Sequence, residues 1–262
     1  MFMLDSCQLV SDAGVVKAGK PSVDLFILGI LAGAYIALAG AGSTMIAHNL
    51  LADPATFGLG RLLAALIFPC GLILVTLAGA ELFTGNVMML LPLTQRRISL
   101  FGMLRNWIIV YAGNFAGAVF VAFLIYHSGQ LHAIGGQLEN ATIGVATMKC
   151  SLTFVQAFTL GILCNWLVCL AVWMSIGAKD TQGKILSVFF PIGLFVAAGF
   201  EHSIANMFFI PIGLFAAQAP WTGSGVLTWE NFFVANLLPV TLGNIVSGSV
   251  FVALVYGYVH RK

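Results

Sequence analysis

The sequence predicts an all-α membrane protein whose six transmembrane helices form two inverted three-helix repeats, with the second and fifth helices broken inside the membrane. Three observations carry this prediction. The chain is 60% hydrophobic and 8% charged with a mean hydropathy of +1.01, against roughly 25% charged residues in an ordinary soluble domain. Six apolar stretches, at about 25–49, 61–93, 106–127, 152–176, 185–218 and 232–258, are each long enough to cross a bilayer as a helix, which takes about 20 residues. Two of them carry the same interruption, Gly79-Ala-Glu-Leu-Phe-Thr-Gly-Asn86 and Gly199-Phe-Glu-His-Ser-Ile-Ala-Asn206. A helix that breaks within the membrane frees backbone groups that only protein or a cavity can satisfy, and two breaks in corresponding places mark a substrate site.

Along the chain, residues 1–22 carry Asp5, Asp12, Lys17 and Lys20 with no sustained apolar core. They read as an interfacial segment on the cytoplasmic side, not as a cleavable signal peptide. Residues 23–262 read as one transmembrane channel domain with repeats at about 23–128 and 150–260. The second and fifth apolar stretches are too long for simple spans, so each is expected to be two half-helices joined by a short loop. Lys17, Lys20, Arg96, Arg97, Arg105, Lys179, Lys184, Arg261 and Lys262 fall on one side of this topology, leaving only Arg61 and Lys149 opposite. Basic residues concentrate in cytoplasmic loops, which puts both termini inside and makes Arg61 an interfacial anchor. The net charge of +2 expresses this bias and implies no nucleic-acid partner.

The repeat extends beyond the breaks. Leu28-Gly-Ile-Leu31 recurs as Leu160-Gly-Ile-Leu163, and Gly113-Asn114 recurs as Gly243-Asn244. The matches follow span order, first with fourth, second with fifth, third with sixth. Three spans per half is an odd number, so the second half enters the membrane from the other side. Glycines such as Gly29, Gly33, Gly113, Gly117, Gly161 and Gly243 are expected to let helices approach closely.

His202 is an ionisable group expected deep in the membrane, where such groups mark a pathway or a buried partner. Burial favours its neutral form and a bound anion its charged form. Thr84, in the opposite break, has a hydroxyl that both donates and accepts. Helix N-termini after each break favour an anion over a cation. Glu81 and Glu201 would repel an anion, so they are expected, with Asn86 and Asn206, to stabilise the loops by accepting from freed backbone N–H groups. Cys7, Cys70, Cys150, Cys164 and Cys169 form no metal or disulfide pattern, and no cofactor or metal is expected. An intramembrane enzyme would need a nucleophile with a base, or a metal cluster, beside the histidine; none is visible.

Ala78-Gly-Ala-Glu-Leu-Phe-Thr-Gly-Asn86, Cys164-Asn-Trp-Leu-Val-Cys-Leu-Ala-Val-Trp173 and Gly199-Phe-Glu-His-Ser-Ile-Ala-Asn-Met207 resemble signature segments of the formate/nitrite transporter family, in the right order, and the likeness extends from about residue 20 to 258. The resemblance implies a homopentamer of aquaporin-like protomers in the bacterial cytoplasmic membrane, each passing formate, nitrite or hydrosulfide. It places Phe68, Leu72, Leu82 and Phe195 at the apolar narrowings, Asn165 near the central histidine His202, and Lys149 at an electropositive outer approach. Phe195-Val-Ala-Ala-Gly-Phe-Glu-His202 leans toward formate channels, whereas Glu81-Leu-Phe-Thr-Gly85 and Cys164-Asn-Trp-Leu-Val-Cys169 lean toward the nitrite and hydrosulfide branches. Formate ranks first, hydrosulfide or nitrite second, with an aquaporin-like neutral-solute channel as the competitor of another class. In the expected mechanism Lys149 gathers anions, apolar side chains strip their water, and His202 with Thr84 and Asn165 holds the anion midway, proton transfer from His202 easing its exit.

Overall fold

The computed structural model describes residues 2–260, whose regular elements are all helical with no strand among them. An opening helix α1 (Phe2–Gly19) precedes α2 (Ser22–Ala52), α3 (Phe57–Ala78), α4 (Phe83–Thr94) and α5 (Leu100–His127). The second half follows as α6 (Gln137–Cys150), α7 (Phe154–Gly177), α8 (Thr181–Ala198), α9 (Ser203–Ala216) and α10 (Trp229–Val259). Six of these, α2, α3, α5, α7, α8 and α10, are long and apolar enough to span a membrane. Helices α2, α5, α7 and α10 follow their sequence-predicted spans closely, whereas the predicted stretches 61–93 and 185–218 each correspond to two helices, α3 with α4 and α8 with α9. Arg261 and Lys262, used in the charge argument, lie outside the described residues.

Local sequence sets the helix starts. Pro21 sits at the N-cap of α2, where its missing N–H costs nothing. The Ser99 hydroxyl accepts from Gly102 N at the head of α5, and Thr153 with Gln156 closes a reciprocal capping box on α7. Asp180 and Thr228 cap α8 and α10 in the same manner. The last helix contains two π-helical stretches, Phe232–Leu237 and Ser247–Leu254. Apolar periodicity alone gave no sign of them.

Small residues bring α2 against α5 and α7 against α10, the same pairing in each half. A Cβ on Gly117 would stand 1.9 Å from the Ile30 carbonyl oxygen, and one on Gly243 would stand 2.2 Å from that of Phe158. Backbone cannot yield as a flexible side chain can. Gly117→Ala is therefore expected to force α2 and α5 apart and to destabilise the protein by roughly 1–3 kcal/mol, measurable as a lowered melting point in detergent.

Helix α1 packs against α4, α5 and α7, pinned by side chains from both sides of the α4–α5 turn. Arg97 Nη2 meets Asp12 Oδ1 at 2.6 Å and its Nη1 donates to Ser11 Oγ at 2.7 Å, while Ser11 also donates to Gln95. Arg105 Nη2 donates to the carbonyls of Ala18 and Lys20 at 3.0 and 2.6 Å. The Arg97 guanidinium holds the Asp12 carboxyl below its usual range.

Candidate functional site

Both half-helix junctions have one geometry. Helices α3 and α8 end on Gly79 and Gly199, each at φ 76 and ψ 31, a left-handed conformation that glycine adopts without Cβ strain. The next amide turns back onto its own helix, Ala80 N to Val75 O and Phe200 N to Phe195 O, both at 3.0 Å. The one after crosses to a neighbouring span, Glu81 N to Leu28 O at 3.2 Å and Glu201 N to Leu160 O at 3.3 Å. Helices α4 and α9 then begin at Phe83 and Ser203. The second and fifth apolar stretches are thus two helical segments each, joined by short extended connections.

The glutamates do not satisfy the freed backbone amides, which corrects the sequence expectation. Two buried asparagines do so. Asn114 Oδ1 accepts from Phe83 N at 2.9 Å while its Nδ2 donates to Gly29 O and Glu81 O at 2.8 and 2.9 Å. Asn244 repeats the pattern, accepting from Ser203 N at 2.9 Å and donating to Gly161 O and Glu201 O at 2.7 and 3.1 Å. An amide side chain carries a donor and an acceptor together, as a loop with both free N–H and free C=O requires; a carboxylate offers acceptors only. The recurrence of Gly113-Asn114 as Gly243-Asn244 was the available signal.

The carboxylates instead bind lysines and amides. Glu81 meets Lys17 Nζ and Lys20 Nζ at 2.7 Å each and accepts from Asn86 Nδ2 at 2.9 Å. Glu201 meets Lys149 Nζ at 2.7 Å and accepts from Asn206 Nδ2 at 2.6 Å. Asn106 and Asn236 complete the clusters. Asn106 Oδ1 accepts from Asn86 and its Nδ2 donates to Lys17 O at 3.3 Å; Asn236 Oδ1 accepts from Asn206 and its Nδ2 donates to Lys149 O at 2.9 Å. Lys149 is therefore a buried ion-pair partner, and Lys17 is its counterpart in the first half. Sequence reasoning used Lys17 only to orient the chain and passed over Asn106 and Asn236, because the Lys17 and Lys149 carbonyls they bind lie outside the predicted repeats.

Between the clusters, His202 and Thr84 meet at the tips of the two connections. The Ala205 amide donates to His202 Nδ1 at 3.1 Å, capping α9. Nδ1 consequently bears no proton, and the neutral ring carries its proton on Nε2, 2.9 Å from Thr84 Oγ1. The imidazole donates to the hydroxyl, so the Thr84 proton is left without an acceptor among the described residues. Asn165 Nδ2 donates to the carbonyls of Thr84 and Asn244 at 3.0 and 2.7 Å, and Cys169 Sγ donates to Thr84 O at 3.3 Å. Asn165 thus holds the Thr84 backbone and makes no hydrogen bond to the histidine ring among the described residues, and its own Oδ1 has no partner among them.

A cavity opens toward this pair from each side. One of about 350 Å³ is lined by His202, Phe68, Phe195, Lys149, Glu201 and Arg61 among others. The other, of about 270 Å³, is lined by Leu72, Leu82, Lys17, Lys20, Glu81 and Asn86 among others. They share no lining residue, and Thr84, which is fully buried, lies in the layer between them. Phe68 meets Phe195 edge-on at 5.7 Å, and Phe195 lies over the His202 ring at 5.9 Å. Four apolar side chains, two in each cavity wall, thus flank one polar pair. Among the described residues no group of three His, Cys, Asp or Glu is placed to hold a metal.

The model of the family described as formate/nitrite transporter matches residues 5–258. The chain belongs to the formate/nitrite transporter family. It is 43% identical over 272 residues to a probable formate transporter of Methanothermobacter thermautotrophicus, covering 98% of this chain and 96% of that relative. With the formate channel FocA of Escherichia coli the identity is 38% over 266 residues, covering 97% and 93%. A solved structure described as a pentameric formate channel with formate bound superposes with a TM-score of 0.81 at 38% identity, over 92% of this chain and 98% of that one. An ion channel of the same family superposes at 0.85 with 33% identity, over 97% and 98%. The protein is a multi-pass membrane member of a family of transporters and channels.

Proposed function

We propose that the protein is a homopentameric channel for small monovalent anions in the cytoplasmic membrane, with formate its first substrate and one pore in each protomer. The proposal adopts the orientation of the basic loops, with both termini in the cytoplasm, and the inverted relation of the two halves. The Lys149 cavity is then the outer vestibule and the Lys17 cavity the inner one. Relatives described as formate transporters and channels support the substrate class.

The observation that carries the reading is the Thr84 hydroxyl. Its oxygen is occupied by His202 Nε2–H, so its hydrogen is free for an anion entering the layer between the cavities. The first-turn amides of α4 and α9 add positive partial charge on either side. Phe68 and Phe195 on one side, and Leu72 and Leu82 on the other, admit an anion only after water is removed, which excludes larger or strongly hydrated ions. Protonating His202 would cost the Nδ1 bond that caps α9, so the ring serves as a fixed donor in series with Thr84. The proton that converts a weak acid's anion to its neutral form then comes from the vestibules, a change from the proton transfer by His202 that the sequence alone pointed to.

Flux of formate, nitrite and hydrosulfide into liposomes holding the purified protein, compared across pH with His202→Phe as control, tests this. Selective flux in the wild type, lost in the variant, is the expected result. Water or glycerol flux indifferent to His202 would replace the anion reading with a neutral-solute pore.

A further inference from the structure

The Lys149 cavity contains a cation that the anion pathway has not yet used. Lys149 lies 2.7 Å from Glu201, and the two side chains are only 10% and 4% exposed. Their charges largely cancel. Arg61 lines the same cavity and makes no ion pair among the described residues. Its Nη1 donates to Val196 O at 3.3 Å and its Cζ stands 5.3 Å from the centre of the Phe57 ring. A guanidinium has five N–H donors, so most of this fork is unused. Counting Lys149 and Arg61 as +1 each and Glu201 as −1, Arg61 supplies the net charge of the cavity.

Space is reserved for it. A Cβ on Gly199 would stand 2.9 Å from Arg61 Nη2, whereas a Cβ on the equivalent Gly79 would meet nothing within 4 Å. The repeat puts Thr181, 120 residues on, where a second arginine would be, so the duplicated scaffold does not itself require Arg61.

His48 stands at the same level. Helices α2 and α3 run antiparallel, with Ser43 Oγ donating to Ala64 O at 3.2 Å and Gly60 packed on Leu50 and Leu51. This register sets His48 near Arg61, and both line the cavity. His48 Nδ1–H donates to Met45 O at 2.8 Å, which makes Nε2 an acceptor. That nitrogen is buried and has no donor among the described residues, an unfavourable state that a ligand or water relieves.

We propose that Arg61 and His48 form a loading site for a small monovalent oxyanion that still carries water, separate from the Thr84–His202 pair. The planar fork matches the oxygens of a carboxylate or nitrite, and His48 Nε2 accepts an O–H from the accompanying water. Phe68 and Phe195, in the wall of the same cavity, then strip that water. The inference rests on the anion-channel reading and adds the residue that sets affinity on this face.

Concentration-dependent formate flux in liposomes tests it. Arg61→Gln is expected to raise the half-saturating formate concentration from this face about fivefold at low ionic strength, the maximal rate staying near wild type. Arg61→Lys should recover most of the loss, and the difference should fade in about 1 M salt, where the Debye length is about 3 Å. An unchanged half-saturating concentration overturns the proposal. So does a loss of maximal rate in step with melting point, which would make Arg61 merely a brace for the Val196 carbonyl. If the wild type passes none of the three anions, the channel reading fails on its own, and crystals soaked in bromate, a monovalent oxyanion with an anomalous signal, decide the site. A peak beside Arg61 in the wild type that is absent from Arg61→Gln supports it, and no peak overturns it.

Discussion

Thr84→Val is expected to lower formate flux in liposomes about 10- to 100-fold at neutral pH, the loss that goes with one hydrogen bond to a charged partner at about 1.5–3 kcal/mol. Valine keeps the volume and removes the donor that His202 leaves free. The melting point should change little, since the Thr84 backbone stays tied to Asn165 and Cys169. His202→Asn separates two duties of the histidine. Asparagine is a strong helix N-cap and should preserve the start of α9, yet it lacks the ring N–H that occupies Thr84. Flux should fall as far as in Thr84→Val with stability retained, and the double variant should fall little further because the two groups act in series. Full flux in either single variant would remove the pair from the pathway.

Lys149→Met is expected to be the most destabilising single change in the permeation region. It leaves the Glu201 carboxylate buried without its cation, and breaking a buried pair from one side costs about 3–5 kcal/mol. Poor yield and a strongly lowered melting point in detergent are the expected result. Pairing it with Glu201→Gln should restore most of the stability, because an amide keeps hydrogen bonding to Asn206 without stranding a charge. If the double variant also conducts formate, Lys149 is a structural partner of Glu201; if it folds but conducts nothing, Lys149 acts on the anion itself. Lys17→Met should cost less, since Lys20 still meets Glu81 at 2.7 Å.

The fold was largely legible because its main signals are long and local. Apolar stretches of span length located four spans directly, and two copies of one interruption showed where the stretches 61–93 and 185–218 divide into two helices each. Polar residues inside the breaks were legible for the same reason, since Thr84, His202, Glu81 and Glu201 stand out against apolar neighbours. What escaped was the pairing of residues distant in sequence. Asn114 lies 33 positions from the Glu81 carbonyl to which it donates, and within a helix it looks like any packed polar residue. His48 sits near the end of an apolar run, where composition does not separate a buried ring from an exposed one; the structure leaves it 6% exposed. Lys17 was masked by its helix, which is too polar to resemble a span, so its kinship with Lys149 appears only once both reach a glutamate.

That kinship enlarges the unit of duplication. Helix α1 delivers Lys17 to Glu81 and its Lys17 carbonyl to Asn106, as α6 delivers Lys149 to Glu201 and its carbonyl to Asn236. Each half is therefore a self-contained package of one polar helix followed by three spans, with its own capped break and its own buried charge. An ancestor encoding a single half would already have owned every part of the scaffold, needing only to insert in both orientations and associate as an antiparallel pair. Fusion of two such copies would release the halves from identity, so that a threonine could face a histidine across the seam.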